Sequence, residues 1–194
     1  MKKKDKLVIC DLDGTLFDTR RVNFTSYTKA LEKAGIPVTF DYKTYLQKYW
    51  GPTYRYFLPQ MGVPQERVEE VHDLKKDFYQ ESIGTAVENT HLFNIIEALR
   101  PAYYTAVVTS GSRNAKEILD RFGRTELFDL ILTIDDVENG KPDPEGFLRA
   151  MEHFGVRPEQ TLIFEDSKAG VTAARACGAS VCIVDDFALE HDVV

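Results

Sequence analysis

The 194-residue chain contains three cysteines, one tryptophan and four histidines, and none of its apolar runs approaches the roughly 20 residues a helix needs to cross a bilayer. No membrane-spanning segment is therefore expected, and no leader-type apolar stretch follows the basic start Met1-Lys2-Lys3-Lys4-Asp5-Lys6. Cys10, Cys177 and Cys182 are odd in number and lack metal-site spacing, which argues for reduced, largely buried thiols and a cytoplasmic setting. The histidines, at 72, 91, 153 and 191, show no paired ligand spacing. Positive charge is also scarce. Lys and Arg total 24 against 31 Asp and Glu, a net charge of −7, and only the N-terminal lysines cluster. Nucleic acid and membrane surfaces are thus not expected as partners. There is no Gly-x4-Gly-Lys-Ser/Thr loop to cradle a nucleotide, no internal repeat and no low-complexity stretch.

What the chain does have is a 43% apolar content and five short, continuous apolar runs, at residues 7–10, 105–109, 130–134, 161–164 and 181–184. Runs without alternation fit strands covered on both sheet faces. Apolar stripes at helical spacing separate the later runs: Ala115, Ile118, Leu119 and Phe122; then Phe147, Leu148, Met151 and Phe154; then Val171, Ala174 and Cys177. Each stripe closes on a glycine (Gly123, Gly155, Gly178), the usual helix stop. Such alternation predicts an α/β fold, a Rossmann-like parallel sheet flanked by helices. More than ninety residues separate the first two strands, far more than a plain crossover requires. The intervening stretch carries helical stripes (Phe24, Tyr27, Leu31 and Ala34; then Val68, Val71 and Phe78), with dense aromatics between 40 and 57 and a Gly51-Pro52 break. A helical-bundle cap is expected over 18–84, and a core domain over 1–17 plus 85–194.

In a parallel sheet, ligands gather beyond the C-terminal strand ends. The first run leads into Asp11-Leu12-Asp13-Gly14-Thr15, where strand alternation points two carboxylates to one face. Like charges that close require a cation, or one carboxyl must keep its proton. The second run ends at Thr109-Ser110-Gly111-Ser112, the loop after the third carries Gly140-Lys141-Pro142-Asp143-Pro144, and the fourth ends at Glu165-Asp166-Ser167. Asp11, Asp13, Glu165 and Asp166 supply hard oxygens suited to Mg²⁺. Ser110 and the Gly111 amide can receive an anion, and Lys141 adds a point positive charge. Each motif alone could be a turn, a cap or a solvated lysine. Together they fit phosphoryl transfer.

These four ordered motifs resemble the haloacid dehalogenase superfamily, in the subfamily of phosphoglycolate phosphatases, sugar phosphatases and β-phosphoglucomutases. The resemblance implies that Asp11 is the nucleophile and Asp13 the acid and base. It further implies Mg²⁺ on the Asp11 carboxylate, the Asp13 main-chain carbonyl and Asp166, with Glu165 a further or water-mediated ligand. Ser110 and Gly111 would hold phosphate oxygens, and Lys141 would offset charge at Asp11. An aspartate at position 13 argues against carbon–halogen cleavage, since true dehalogenases lack it.

The expected activity is Mg²⁺-dependent hydrolysis of a small phosphorylated metabolite by a monomer. Alternatives are a β-phosphoglucomutase-like mutase and, further off, a nucleotidase, a pyrophosphatase or a non-catalytic binding protein. Asn23 stands where the mutase pattern has a hinge histidine, and Arg55 lies one residue off the mutase's second phosphate grip, with Tyr54 at the matching position. Both lower the mutase reading. Tyr49, Trp50, Tyr54, Arg55 and Tyr56 are the cap candidates for substrate contact, and linkers near 17–19 and 83–88 would let the cap open and close. Glu88-Asn89-Thr90-His91 replaces the Pro-Gly common before the second core helix.

Overall fold

The computed structural model describes residues 4–50, 54–111, 114–185 and 187. The Gly51-Pro52 break, Ser112, His191 and the first three residues lie outside the described residues. The chain divides into two compact units, Met1–Asp18 with Glu88–Val194, and Thr19–Val87.

The first unit holds a five-stranded sheet. Its strands are β1 (Lys6–Cys10), β4 (Tyr103–Val108), β5 (Leu130–Leu132), β6 (Thr161–Glu165) and β7 (Ser180–Ile183), in the order β5-β4-β1-β6-β7. Every adjacent pair is parallel, with Ile9 opposite Ala106 on one side and Ile163 on the other. The central strand is covered on both faces, as its unbroken apolar run predicts: Leu7, Val8, Ile9 and Cys10 are all fully buried. Leu7, Ile9, Ala106, Val108 and Ile163 pack on Phe147, Ala150 and Met151 of α7 (Glu145–Phe154) and on Ala173 and Ala174 of α8 (Lys168–Ala176). By the period of two, Val8, Cys10 and Val107 face the other way, and they are equally inaccessible. The unit's remaining helices are α5 (Thr90–Leu99) and α6 (Asn114–Arg121). An aromatic cluster joins Phe17, Phe93, Phe122 and Phe128 within the same unit. Gly155 ends α7 in the left-handed region at φ 65°, where a side chain would be strained.

Two strand boundaries differ from the expected ones by two residues, and the others by one at most. The run expected over 130–134 stops at Leu132, because the Thr133 side chain accepts from the Asp135 amide while the Asp136 carboxylate accepts from the Thr133 amide. That reciprocal cap turns Ile134–Asp136 into a 3-10 turn. The second core strand begins at Tyr103 rather than at 105, in register with Lys6, whose ammonium sits 5.4 Å from the Tyr103 ring.

The second unit is helical: α1 (Arg20–Lys33), α2 (Tyr42–Lys48), α3 (Tyr54–Gln60) and α4 (Val68–Ser82). Here α1 packs along α4, and both share a core of Tyr27, Leu31, Phe57, Leu58, Val68 and Val71. The Tyr27 and Phe57 rings meet edge to face at 5.0 Å. Asp41 caps α2 by accepting from the Thr44 amide at 2.8 Å. A 3-10 turn over Ile83–Thr85 packs on α1 and so goes with this unit, whereas the sequence put the boundary at 84/85. The short strands β2 (Phe17–Asp18) and β3 (Val87–Glu88) pair where the chain leaves and returns. Among the described residues no helix is long and apolar enough to cross a membrane.

Candidate active site

The parallel sheet carries the C-terminal ends of β1, β4 and β6 to one edge, and the expected charged residues meet there. Asp11 extends β1, its amide donating to the Phe164 carbonyl at 2.9 Å. Lys141 reaches in from the loop before α7, where the Lys141–Pro142 peptide is cis. Its ammonium donates to Asp11 Oδ1 at 2.5 Å, Glu165 Oε1 at 2.7 Å and the Val108 carbonyl at 2.9 Å, so its three protons all have acceptors. The three side chains are 7%, 9% and 0% exposed for Lys141, Asp11 and Glu165. Burial holds the Asp11 carboxyl well above the usual carboxylate range; Lys141 opposes this, while Glu165 and Asp166 add to it. Burial alone would lower the Lys141 pKa, but Asp11 and Glu165 outweigh it and the net direction is upward.

Two glycines make room for the other two carboxylates. A Cβ at Gly14, itself at φ 92°, would overlap the Asp166 carboxylate, and one at Gly170 would overlap that of Glu165. Glu165 Oε2 also accepts from the Ser167 amide at 2.8 Å and the Ser167 hydroxyl at 3.0 Å, while that hydroxyl caps α8 through the Gly170 amide. Thr15 Oγ1 donates to Asp166 Oδ1 at 3.0 Å. Burial, then Glu165, raises the Asp166 pKa to about 6. Asp11, Glu165 and Asp166 each offer an oxygen within 4.8 Å of the others. Three carboxylates facing one ammonium leave an excess of negative charge on hard oxygens, and that donor set fits a divalent cation of the Mg²⁺ type. Because both Glu165 oxygens already hold Lys141 and Ser167, Asp11 and Asp166 are the better placed of the three to turn toward an ion.

Asp13 faces the end of β4: a Cβ built at Gly111 would stand 3.5 Å from Asp13 Oδ2 and 3.4 Å from Thr109 Oγ1. Ser110 is exposed, and with Thr109, Thr133, Asn139 and Lys141 it lines a shallow recess. The Gly111 amide, expected to hold an anion, donates to Thr109 Oγ1 at 3.0 Å, so an anion would have to displace that hydroxyl. The remaining candidates lie in the helical unit, and all but Tyr56 are engaged there. Trp50 and Tyr49 border the aromatic core, on Tyr45 and Phe40 respectively, and Tyr56 is exposed. Tyr54 stacks on His72 at 3.6 Å, and both Tyr54 and Arg55 donate to Glu69.

Thr15, Thr109 and Asn89 were missed in the sequence. Thr15 carried a signal, since it closes the Asp-x-Asp-Gly-Thr stretch; Asn89 was marked only by the departure at Glu88-Asn89-Thr90-His91, which says nothing of a partner 74 positions away.

Comparisons with known proteins bear on the family and the fold. The family described as haloacid dehalogenase-like hydrolase matches residues 8–184. The chain is 32% identical over 177 residues to a phosphorylated carbohydrates phosphatase of Thermotoga maritima, covering 88% of this chain and 81% of that protein. It is 27% identical over 180 residues to a phosphoglycolate phosphatase of Aquifex aeolicus, with coverages of 92% and 84%. Crystalline CbbY from Rhodobacter sphaeroides, in complex with phosphate, is similar in fold at a TM-score of 0.81 and 23% identity, covering 96% of this chain and 89% of that one.

Proposed function

Because the chain belongs to the haloacid dehalogenase-like hydrolase family, we propose that it is a Mg²⁺-dependent phosphomonoester hydrolase that acts on a small sugar-phosphate or phosphoglycolate-type metabolite through an aspartyl phosphate at Asp11. The observation that carries this reading is the buried Asp11 carboxylate, held by Lys141 within a cluster of three carboxylates.

One Asp11 oxygen attacks phosphorus while the bond to the leaving oxygen breaks, and Asp13 protonates that oxygen. Asp13, now a carboxylate, takes a proton from water as the water attacks the acyl phosphate. Inorganic phosphate leaves and the Asp11 carboxylate is restored. Lys141 keeps Asp11 oriented and offsets the charge of the arriving phosphoryl group. Ser110 and the Gly111 amide are the proposed contacts for phosphate oxygens. Asp11, the Asp13 carbonyl and Asp166 would hold Mg²⁺, which supplies charge neutralisation on the phosphoryl oxygens when bound. Glu165 serves chiefly to fix Lys141 and the start of α8.

The names of the relatives, a phosphorylated carbohydrates phosphatase and a phosphoglycolate phosphatase, support the substrate class. The test is phosphate release from a panel of phosphorylated metabolites, with Mg²⁺ and with chelator, alongside an assay for sugar-phosphate isomerisation. Release that needs Mg²⁺ and brings no isomerisation supports hydrolysis. Isomerisation without net release would replace it with the mutase.

A further inference from the structure

Asn89 is buried, 3% exposed, at the point where the chain re-enters the first unit and starts α5. Its side chain is used at both ends. Oδ1 accepts from the Leu92 amide at 3.0 Å, the ordinary helix cap, while Nδ2 donates to the Thr15 carbonyl at 3.2 Å. Its backbone amide donates to the next carbonyl, Leu16, at 2.9 Å. Two successive carbonyls of the loop that follows Asp11 and Asp13 are thus held by one residue. The same Thr15 donates its hydroxyl to Asp166 Oδ1 at 3.0 Å. Glu88, immediately before, is fixed in turn: Arg124 grips it through Nε at 3.0 Å and a terminal nitrogen at 2.7 Å, reaches Glu97 at 3.2 Å and lies 4.7 Å above the Phe93 ring.

A helix cap alone does not call for asparagine, since serine, threonine and aspartate cap as well. Only a side chain with both an acceptor and an N–H donor makes the two bonds seen here. We propose that Asn89 is a positioning residue for the metal-binding carboxylates: by holding the Thr15 and Leu16 carbonyls it sets the Thr15 hydroxyl that orients Asp166. The inference rests on the reading of Asp11 and Asp166 as Mg²⁺ ligands. Such outer contacts commonly alter metal affinity by about 10- to 100-fold.

Asn89→Ser and Asn89→Asp both keep a cap acceptor and remove the Nδ2 that donates to Thr15: the serine hydroxyl sits one bond nearer the backbone, and aspartate puts a repelling oxygen in the place of Nδ2. The readouts are Mg²⁺ affinity by calorimetry on the full chain, melting temperature, and hydrogen exchange of the metal-free protein. Both variants are expected to melt within a few degrees of wild type, to exchange faster across residues 12–17 but not in the first turn of α5, and to bind Mg²⁺ about tenfold more weakly. If both bind Mg²⁺ as wild type does, or if the exchange change falls in residues 90–93 alone, Asn89 is only a cap and the proposal is overturned. Wild type that binds no Mg²⁺ defeats the metal reading instead; exchange across 12–17 then decides whether Asn89 holds the loop.

Discussion

The two units differ in the charges they bury. In the first, Lys141, Asp11 and Glu165 are sealed among one another at the sheet edge. In the second, the ion pairs Arg55–Glu69 and Lys29–Glu81 lie exposed, and the interior is mainly aromatic and aliphatic, with Thr19, Ser26, Lys75 and Ser82 the buried polar residues among those described. Burying unlike charges is a poor way to gain stability, since desolvation consumes most of the attraction. A well-packed apolar cluster stabilises more simply, as the helical unit does with Tyr27, Leu31, Phe57 and Val71. The difference teaches that the charged cluster is retained for its chemistry. Changes at the charged cluster should therefore strike activity whatever they do to stability, and changes in the core of the second unit should act chiefly on stability.

The largest effect should come from Asp11→Asn, which keeps the side chain's shape and removes the nucleophile. Turnover should fall at least about a thousandfold with the melting temperature little changed; a small loss of activity would break the contrast at once. Next, Lys141→Met leaves Asp11 and Glu165 buried without their cation. A cost of about 3–5 kcal/mol is expected in chemical denaturation, together with loss of turnover. Leu31→Ala, in the fully buried core of the helical unit, should cost about 2–5 kcal/mol while the folded fraction keeps its Mg²⁺ affinity.

The mildest expected effect is in pH response, where the two units should differ in sign. Asp166 binds its proton more tightly when folded, with a pKa of about 6. Its contribution to the metal-free chain is thus present at low pH and lost as pH rises from about 4 to about 6. Burial lowers the His72 pKa from 6.5 to about 4, so folding there excludes a proton and stability is lost as pH falls through that interval. Melting temperatures of the metal-free Asp166→Asn and His72→Phe variants, compared with wild type from pH 4 to 7, should diverge in opposite directions. Divergence in the same direction would show that the two burials do not act as described.

Much of this was legible in the chain itself, for identifiable reasons. Continuous apolar runs betray strands covered on both faces, and β1 through Leu7 to Cys10 meets that condition. Asp11, Lys141, Glu165 and Asp166 could be brought together on paper because parallel strands end on one edge. What could not be read depends on particular side-chain bonds. Thr133 ends β5 two residues early because its hydroxyl and Asp136 form a reciprocal cap. The Gly111 amide turns to Thr109, and Asn89 reaches Thr15, through bonds that no local pattern announces. The departure at Glu88-Asn89, opaque in the sequence, becomes an anchor once Arg124 and Thr15 are seen beside it.

The central claim is that Asp11 carries the phosphoryl group. Borohydride reduces an acyl phosphate to an alcohol, so quenching a reacting mixture with it should convert that aspartate to homoserine, read by peptide mass spectrometry. The account predicts homoserine at position 11, dependent on both substrate and Mg²⁺. Phosphate release from the same mixture with position 11 unmodified, or homoserine at another carboxylate, would contradict it.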